Sequence, residues 1–203
     1  MCGVSASLVG KNSKYWNLLL NSEIRGQDGT GFTLHKKAVT PIYSSQFITE
    51  KSNQKASLMK NQFHHLDEGD AIIGQNRLAI FGLDNINQQP IVTPSTALVH
   101  NGNLFDFERV FYEEELKREY KVDSELILRL WEKYLDIGAI YDKVKGDFAC
   151  ILMDKVSKNI HIFTRYKPIY YYEDDSGEYW YSTDRIGMKT FGVPGTPIKN
   201  GEI

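Results

Sequence analysis

The sequence holds only two cysteines, Cys2 and Cys150, among 203 residues. Two thiols cannot build a disulfide framework or a four-cysteine zinc site, so each has to be explained singly. A charge excess of one sign is missing as well. The 24 Lys and Arg stand against 26 Asp and Glu, a formal net charge of -2, so nothing builds the broad cationic surface that phosphate backbones select for, and no nucleic acid is expected as a primary ligand. No apolar run approaches the roughly 18 to 20 residues that span a bilayer, and the N-terminus lacks the basic-then-apolar layout of a secretion signal. No membrane association is expected, and a cytoplasmic location is. Internal repeats, low-complexity tracts and Pro/Gly/Ser linkers are also lacking, so residues 1–203 are expected to form a single domain. What is present, 41% hydrophobic, 12% aromatic and 25% charged residues, suffices for one substantial core.

Hydrophobic spacing divides the chain into strands, then helices, then strands. From Cys2 to Val9 the residues Val4, Ala6 and Leu8 alternate with Ser5 and Ser7, the period-two pattern of a strand with unlike faces. Tyr15, Leu18, Leu19 and Ser22 fall at helical spacing and lead into the glycine-rich turn Arg25-Gly-Gln-Asp-Gly-Thr-Gly31. Phe32 to Leu34 and Val39 to Tyr43 read as paired strands, and residues 46–62 as polar and helix-compatible. Ala71 to Leu78 and Thr96 to His100 read as short buried strands, separated by a loop from Asp84 to Pro94, and a helix is expected after them. Leu126, Ile127, Leu130, Trp131 and Tyr134 mark an amphipathic helix on which Glu125 and Arg129 form a weak surface pair. Phe148 to Met153, Ile160 to Phe163, Ile169 to Tyr172 and Tyr179 to Ser182 are expected to form an antiparallel meander. This order fits an α+β layered domain.

Four places could carry chemistry. Removal of Met1 would put a free α-amino group on the same residue as the Cys2 thiol, supplying nucleophile and base together: the amine titrates near ~7.7 to 8.0 and the thiol near ~8.5. His100-Asn-Gly-Asn103 follows an apolar strand and could present a side-chain amide beside a backbone N–H, an oxyanion hole. Arg77 ends another apolar strand and could grip a carboxylate with its bidentate fork. Asp123, at the start of the amphipathic helix, could bind an ammonium. Taken singly, three of them have a plainer reading: for Cys2 a permissive start residue, for Asn101-Gly102 a turn, and for Asp123 a helix N-cap. Arg77 and Asp123 together describe a site for a free α-amino acid. The five histidines show no metal-ligand spacing. Cys150 reads as a small buried hydrophobe, and Glu113-Glu-Glu115 as a solvated helix face.

In order and distance these features resemble the class II glutamine amidotransferases, over nearly the whole chain. Met-Cys-Gly-Val is similar to that family's processed Cys-Gly terminus, Arg25 to Gly31 to its Arg-Gly-x-Asp-x-x-Gly loop, His100 to Asn103 to its oxyanion motif, and Asp123-Ser-Glu125 to its Asp-x-Glu. Asn76-Arg-Leu-Ala-Ile80, Gln89-Pro90, Gly146-Asp-Phe-Ala149 and Tyr181-Ser-Thr-Asp184 look most like the glutaminase half of asparagine synthetases, and the Gly74 to Gly82 frame resembles the glutaminase domain of glucosamine-6-phosphate synthase. The resemblance implies an N-terminal-nucleophile hydrolase fold, a four-layer αββα sandwich of two mainly antiparallel sheets. It implies that Cys2 attacks the side-chain amide of L-glutamine, that Asn101 and the Gly102 N–H hold the oxyanion, and that Arg77, Asp123 and the backbone near Asn103 bind the substrate. It implies glutamate and ammonia as products, neither metal nor organic cofactor, and a separate synthetase or transferase subunit to receive the ammonia, since no acceptor-activating domain is read in the chain. Two rivals stand beside it: an N-terminal-cysteine amidase acting on γ-glutamyl or acyl amides, and a silent module that binds glutamine. Three departures from the family pattern stand out: Ile24 where a histidine commonly precedes the loop, Gln75 and Asn76 before Arg77, and a shorter Thr164-Arg-Tyr-Lys-Pro168 segment.

Overall fold

A computed structural model describes residues 2–37, 47–79, 84–190, 192 and 195–198. Its strands are β1 (Gly3–Leu8), β2 (Gly29–His35), β3 (Phe47–Ser52), β4 (Ala71–Arg77), β5 (Ile91–Val92), β6 (Thr96–Phe105), β7 (Lys145–Asp154), β8 (Asn159–Arg165), β9 (Tyr170–Glu173), β10 (Tyr179–Ser182) and β11 (Thr196–Pro197). Its helices are α1 (Tyr15–Asn21), α2 (Phe107–Glu113), α3 (Glu125–Tyr134), α4 (Ile137–Lys143) and α5 (Arg185–Thr190). One sheet runs β11-β9-β10-β1-β4-β2-β3 and the other β5-β6-β7-β8, and every paired neighbour is antiparallel.

The alternation seen in the sequence sorts side chains between layers. Val4 and Ala6 of β1, Ile73 of β4, Ala97 and Val99 of β6, and Ala149 and Ile151 of β7 meet in the core between the two sheets. On the outer face of the larger sheet, Phe32, Leu34 and Ile72 pack under Tyr15 and Leu19 of α1, and the Ser5 and Tyr15 hydroxyls meet at 3.2 Å. On the outer face of the smaller sheet, Leu98, Leu104, Phe148, Cys150 and Leu152 pack under α2, α3 and α4. Cys150 is the buried hydrophobe expected, and burial pushes its thiol well up. The fold is α+β, with two antiparallel sheets between helical layers.

Several expectations change. Val39 to Tyr43 lies outside the described residues; the strand beside β2 is β3, in the stretch read as helix-compatible. Its alternation is masked because β3 is an edge strand, whose Thr49 and Glu50 need not be apolar; Thr49 instead meets Thr33 across the pair at 2.9 Å. The four C-terminal strands are not one meander: β7 and β8 pair in one sheet, β9 and β10 in the other. The chain changes sheet through residues 164–168, where Tyr166 takes φ 59° and Arg165 donates to the carbonyls of Tyr141 and Val144. Local pattern cannot report such a crossing, because the strands on either side of it look alike.

The Glu125–Arg129 pair is not on the surface. Glu125 is fully buried and accepts the Glu119 and Tyr120 N–H groups at 2.8 Å, together with Arg129. Nor is Glu114 merely solvated: its carboxylate joins Lys143, Tyr134 and Lys133, at 2.7, 2.5 and 2.9 Å. The hydrogen bond from Lys143, then those from Tyr134 and Lys133, hold the carboxyl down to about 2. A carboxylate so depressed stabilises the fold fully above its unfolded value near ~4.3 and loses that contribution as the pH falls toward about 2. Glu114→Gln is therefore expected to cost about 1 kcal/mol at pH 7 and only a small part of that at pH 2, where the folded carboxyl is about half protonated. Urea melts at the two pH values check this, and equal losses at both would contradict it.

Candidate active site

The far end of β6 organises the site. Instead of turning after His100, the strand continues through His100-Asn-Gly-Asn103 to Phe105, with Asn101 opposite Ala149 and Gly102 opposite Phe148. Gly102 is needed for close approach: a Cβ there would fall on the Asp147 carbonyl oxygen. In an antiparallel strand alternate N–H groups leave the same edge. On the edge away from β7, the His100 N–H goes to Gln89 Oε1 at 2.6 Å and the Leu104 N–H to Asp123 Oδ2 at 2.9 Å. The Gly102 N–H lies between them and points the same way.

Below that edge is a cavity of about 190 Å³ whose lining includes Cys2, Arg77, Gly102, Asn103 and Asp123. These are five of the six residues singled out from the sequence, drawn from the start of β1, the ends of β4 and β6 and the entry to α3. Asn101 is the exception. It points into the layer between the sheets, as Val99 does, and lines a second cavity of about 270 Å³ with Arg25, Lys167 and Thr183.

Asp123 is not the N-cap expected. Ser124 holds that place without a side-chain cap bond, and the Asp123 carboxylate is turned toward Leu104 and the cavity. Arg77 sits where β4 ends against the glycine-rich loop. The Asp28 N–H donates to Arg77 O at 3.0 Å, Asp28 Oδ2 accepts the Ala79 N–H at 2.9 Å, and a Cβ on Gly26 would strike the Arg77 backbone. The loop is thus a brace for the Arg77–Ala79 segment, whose Leu78 carbonyl accepts from Cys2 Sγ at 3.7 Å. Burial pushes the Cys2 thiol up, while that hydrogen bond and the nearby Arg77 and Arg25 cations draw it back. Burial also lowers Arg77, against the pull of Cys2, Asp84, Asp28 and Asp123.

Four polar residues, His100, Ser124, Gln89 and Gln75, shape the site without having been singled out for it. His100 Nδ1 lies 2.8 Å from Ser124 Oγ, Gln89 Nε2 donates to the same oxygen at 3.0 Å, and Gln75 Nε2 donates to His100 O at 2.6 Å. Burial lowers His100, against the pull of Asp123 and Asp147. This network ties β4, β6, the 84–94 loop and the start of α3 together beneath the cavity. The Gln89-Pro90 pair after the strand and the histidine before Asn-Gly were visible in the sequence, but the contacts linking them were not. Among the described residues no group of three or more His, Cys, Asp or Glu is placed to hold a metal ion, and no helix is long and apolar enough to cross a membrane.

Residues 46–193 match the model of the glutamine amidotransferase domain family. The chain belongs to that family. As a member it is a glutamine amidohydrolase domain of the class II type. A 7-cyano-7-deazaguanine synthase from Saccharolobus solfataricus is 27% identical over 197 residues, covering 88% of this chain and 41% of that protein. A glutamine–fructose-6-phosphate aminotransferase (isomerizing) from Bartonella henselae is 26% identical over 209 residues, covering 94% of this chain and 33% of that protein. The amidotransferase domain thus spans less than half the length of these curated relatives. Among solved structures, the B. subtilis glutamine phosphoribosylpyrophosphate amidotransferase complexed with ADP and GMP superposes with a TM-score of 0.77 at 16% identity, over 98% of this chain and 46% of that one. That likeness gives the domain its fold, the N-terminal-nucleophile hydrolase sandwich.

Proposed function

We propose that the domain hydrolyses the side-chain amide of L-glutamine through a thioester on Cys2, after removal of Met1. The observation that supports this best is the convergence of Cys2, Arg77, Gly102, Asn103 and Asp123 on one cavity from four separate parts of the chain. Arg77 pairs with the α-carboxylate of glutamine and Asp123 with its α-ammonium, while the backbone near Asn103 lines the pocket. Cys2 Sγ attacks the side-chain carbonyl carbon as its proton passes to the α-amine of the same residue. The Gly102 N–H and the Asn101 amide, reaching from the inter-sheet side, hold the oxyanion. The tetrahedral adduct collapses, the amine returns the proton to the departing nitrogen, and ammonia leaves. Water, deprotonated by the same amine, then cleaves the thioester to give glutamate. Every step uses groups of this chain, glutamine and one water molecule.

The ammonia is delivered to a synthetase or transferase partner that activates the acceptor; relatives more than twice as long, with names that denote synthesis and amino transfer, support that reading. A substrate panel tests the hydrolytic half. With the mature N-terminus verified by mass, L-glutamine is expected to exceed glutaramic acid, which lacks the α-amine, by at least about 100-fold in kcat/KM. Equal turnover of the two, or better turnover of neutral acyl amides, would favour the broader amidase and overturn the proposal.

A further inference from the structure

Arg25 ends the short 3-10 turn Ser22–Arg25 and is half-buried. Its Cβ lies 3.1 Å from where a side chain on Gly3 would begin, so the arginine is packed directly against the residue that follows Cys2. The second cavity, which Arg25 lines, runs along the same stretch of backbone: Thr183 lines it too, and accepts the Val4 N–H on Oγ1 at 3.0 Å while its own N–H donates to Val4 O at 2.9 Å. The other cations of this cavity are occupied. Lys167 pairs with Asp147 at 2.7 Å, and Arg185 lies 5.6 Å over the Tyr170 ring. Among the described residues no carboxylate pairs with Arg25, although Asp184, buried in the same cavity, has one oxygen without a partner.

We propose that Arg25 is a positioning residue: its guanidinium, carried on a side chain that packs against Gly3 and lines the second cavity, favours the neutral, proton-accepting form of the α-amine that Cys2 carries once Met1 is gone. This rests on the reading of that amine as the catalytic base. An adjacent cation disfavours a protonated amine, because the protonated form is also a cation. The charged groups around the start of β1 are Arg77 from β4, Asp28 and Arg25 from the loop and turn, Asp84, Asp123 at the entry to α3, Asp184 before α5 and the Lys167–Asp147 pair. Burial disfavours the charged form of His100. Asp28 accepts the Ala79 N–H and Asp147 pairs with Lys167, and the cations of Arg77 and Arg25 both act on the Cys2 sulfur. Arg77 is committed to the substrate carboxylate and is neutralised when glutamine binds; Arg25 is not.

The test is the pH profile of kcat/KM for glutamine hydrolysis, using chains whose N-terminus is shown by mass to be Cys2. Arg25→Gln and Arg25→Met, two neutral replacements of different polarity, are expected to move the acidic limb up by about 0.5 to 1 pH unit while changing the plateau less than about threefold. Arg25→Lys is expected to return the limb to within about 0.2 unit of the parent. A uniform loss at every pH, with the limb in place, would make Arg25 merely structural and overturn the inference. A parent enzyme with no acidic limb between pH 5.5 and 8.5 would overturn the amine-as-base reading itself, and this inference with it.

Discussion

Cys2→Ala is expected to lower kcat/KM for glutamine hydrolysis by at least about 10⁴-fold, because among the described residues lining the cavity the remaining hydroxyl, that of Ser124, is buried and held by His100 and Gln89. The other cysteine is fully buried in the core under α3, on the far side of β7 from the sheet-to-sheet layer, and burial holds its thiol protonated. The same variant is expected to bind glutamine within about threefold of the parent, since Arg77 and Asp123 are untouched. Loss of turnover with binding retained separates removal of the nucleophile from collapse of the pocket. Cys2 is only partly buried, just before the central strand β1, so trimming its sulfur costs the fold under about 1 kcal/mol. Glutamate release by both proteins, beside isothermal titration with glutamine, decides the matter. Equal residual hydrolysis in parent and variant would remove Cys2 from the mechanism.

Asp123→Asn is the second large effect. The substitution keeps the shape and an oxygen to accept the Leu104 N–H, now made at 2.9 Å, so the entry to α3 stays in place. It removes only the charge. An ammonium that loses a partly buried carboxylate partner forfeits about 2 to 3.5 kcal/mol, so kcat/KM for glutamine is expected to fall by roughly 30- to 300-fold, carried mainly by KM. Glutaramic acid, with no ammonium, is expected to react equally well with parent and variant. An equal fall for both substrates would mean that Asp123 supports the loop rather than the ligand, and the amino-acid reading would lose half its basis.

Much of this arrangement was legible in the sequence because short-range physics encodes it. Alternation from Cys2 to Val9 and a short buried-strand pattern from Ala71 to Leu78 marked the two central strands of the larger sheet, and helical spacing through Leu126, Leu130 and Trp131 marked α3. The residues able to do chemistry could be identified from type and position alone: a thiol one residue from the start, an arginine ending a strand, an aspartate before a helix. Edge strand β3 was not legible, since one side of it has no partner to demand apolar residues. The division of the last four strands between two sheets depends on a five-residue crossing that carries no periodic signal.

What the sequence determined by itself is the content of each face, because a period of two or 3.6 residues acts between near neighbours, and which residue types are available as candidate reactive groups. Only the tertiary structure decided which faces meet. It turned Asp123 from a helix cap into a cavity wall by giving its carboxylate the Leu104 N–H. It drew Glu125 into the core by supplying two backbone donors to satisfy it. It placed Asn101 and Gly102, adjacent in the chain, on opposite sides of one strand. The Asp123 and Glu125 outcomes depend on hydrogen-bond partners 5 to 19 residues away, and no periodic pattern specifies such a partner.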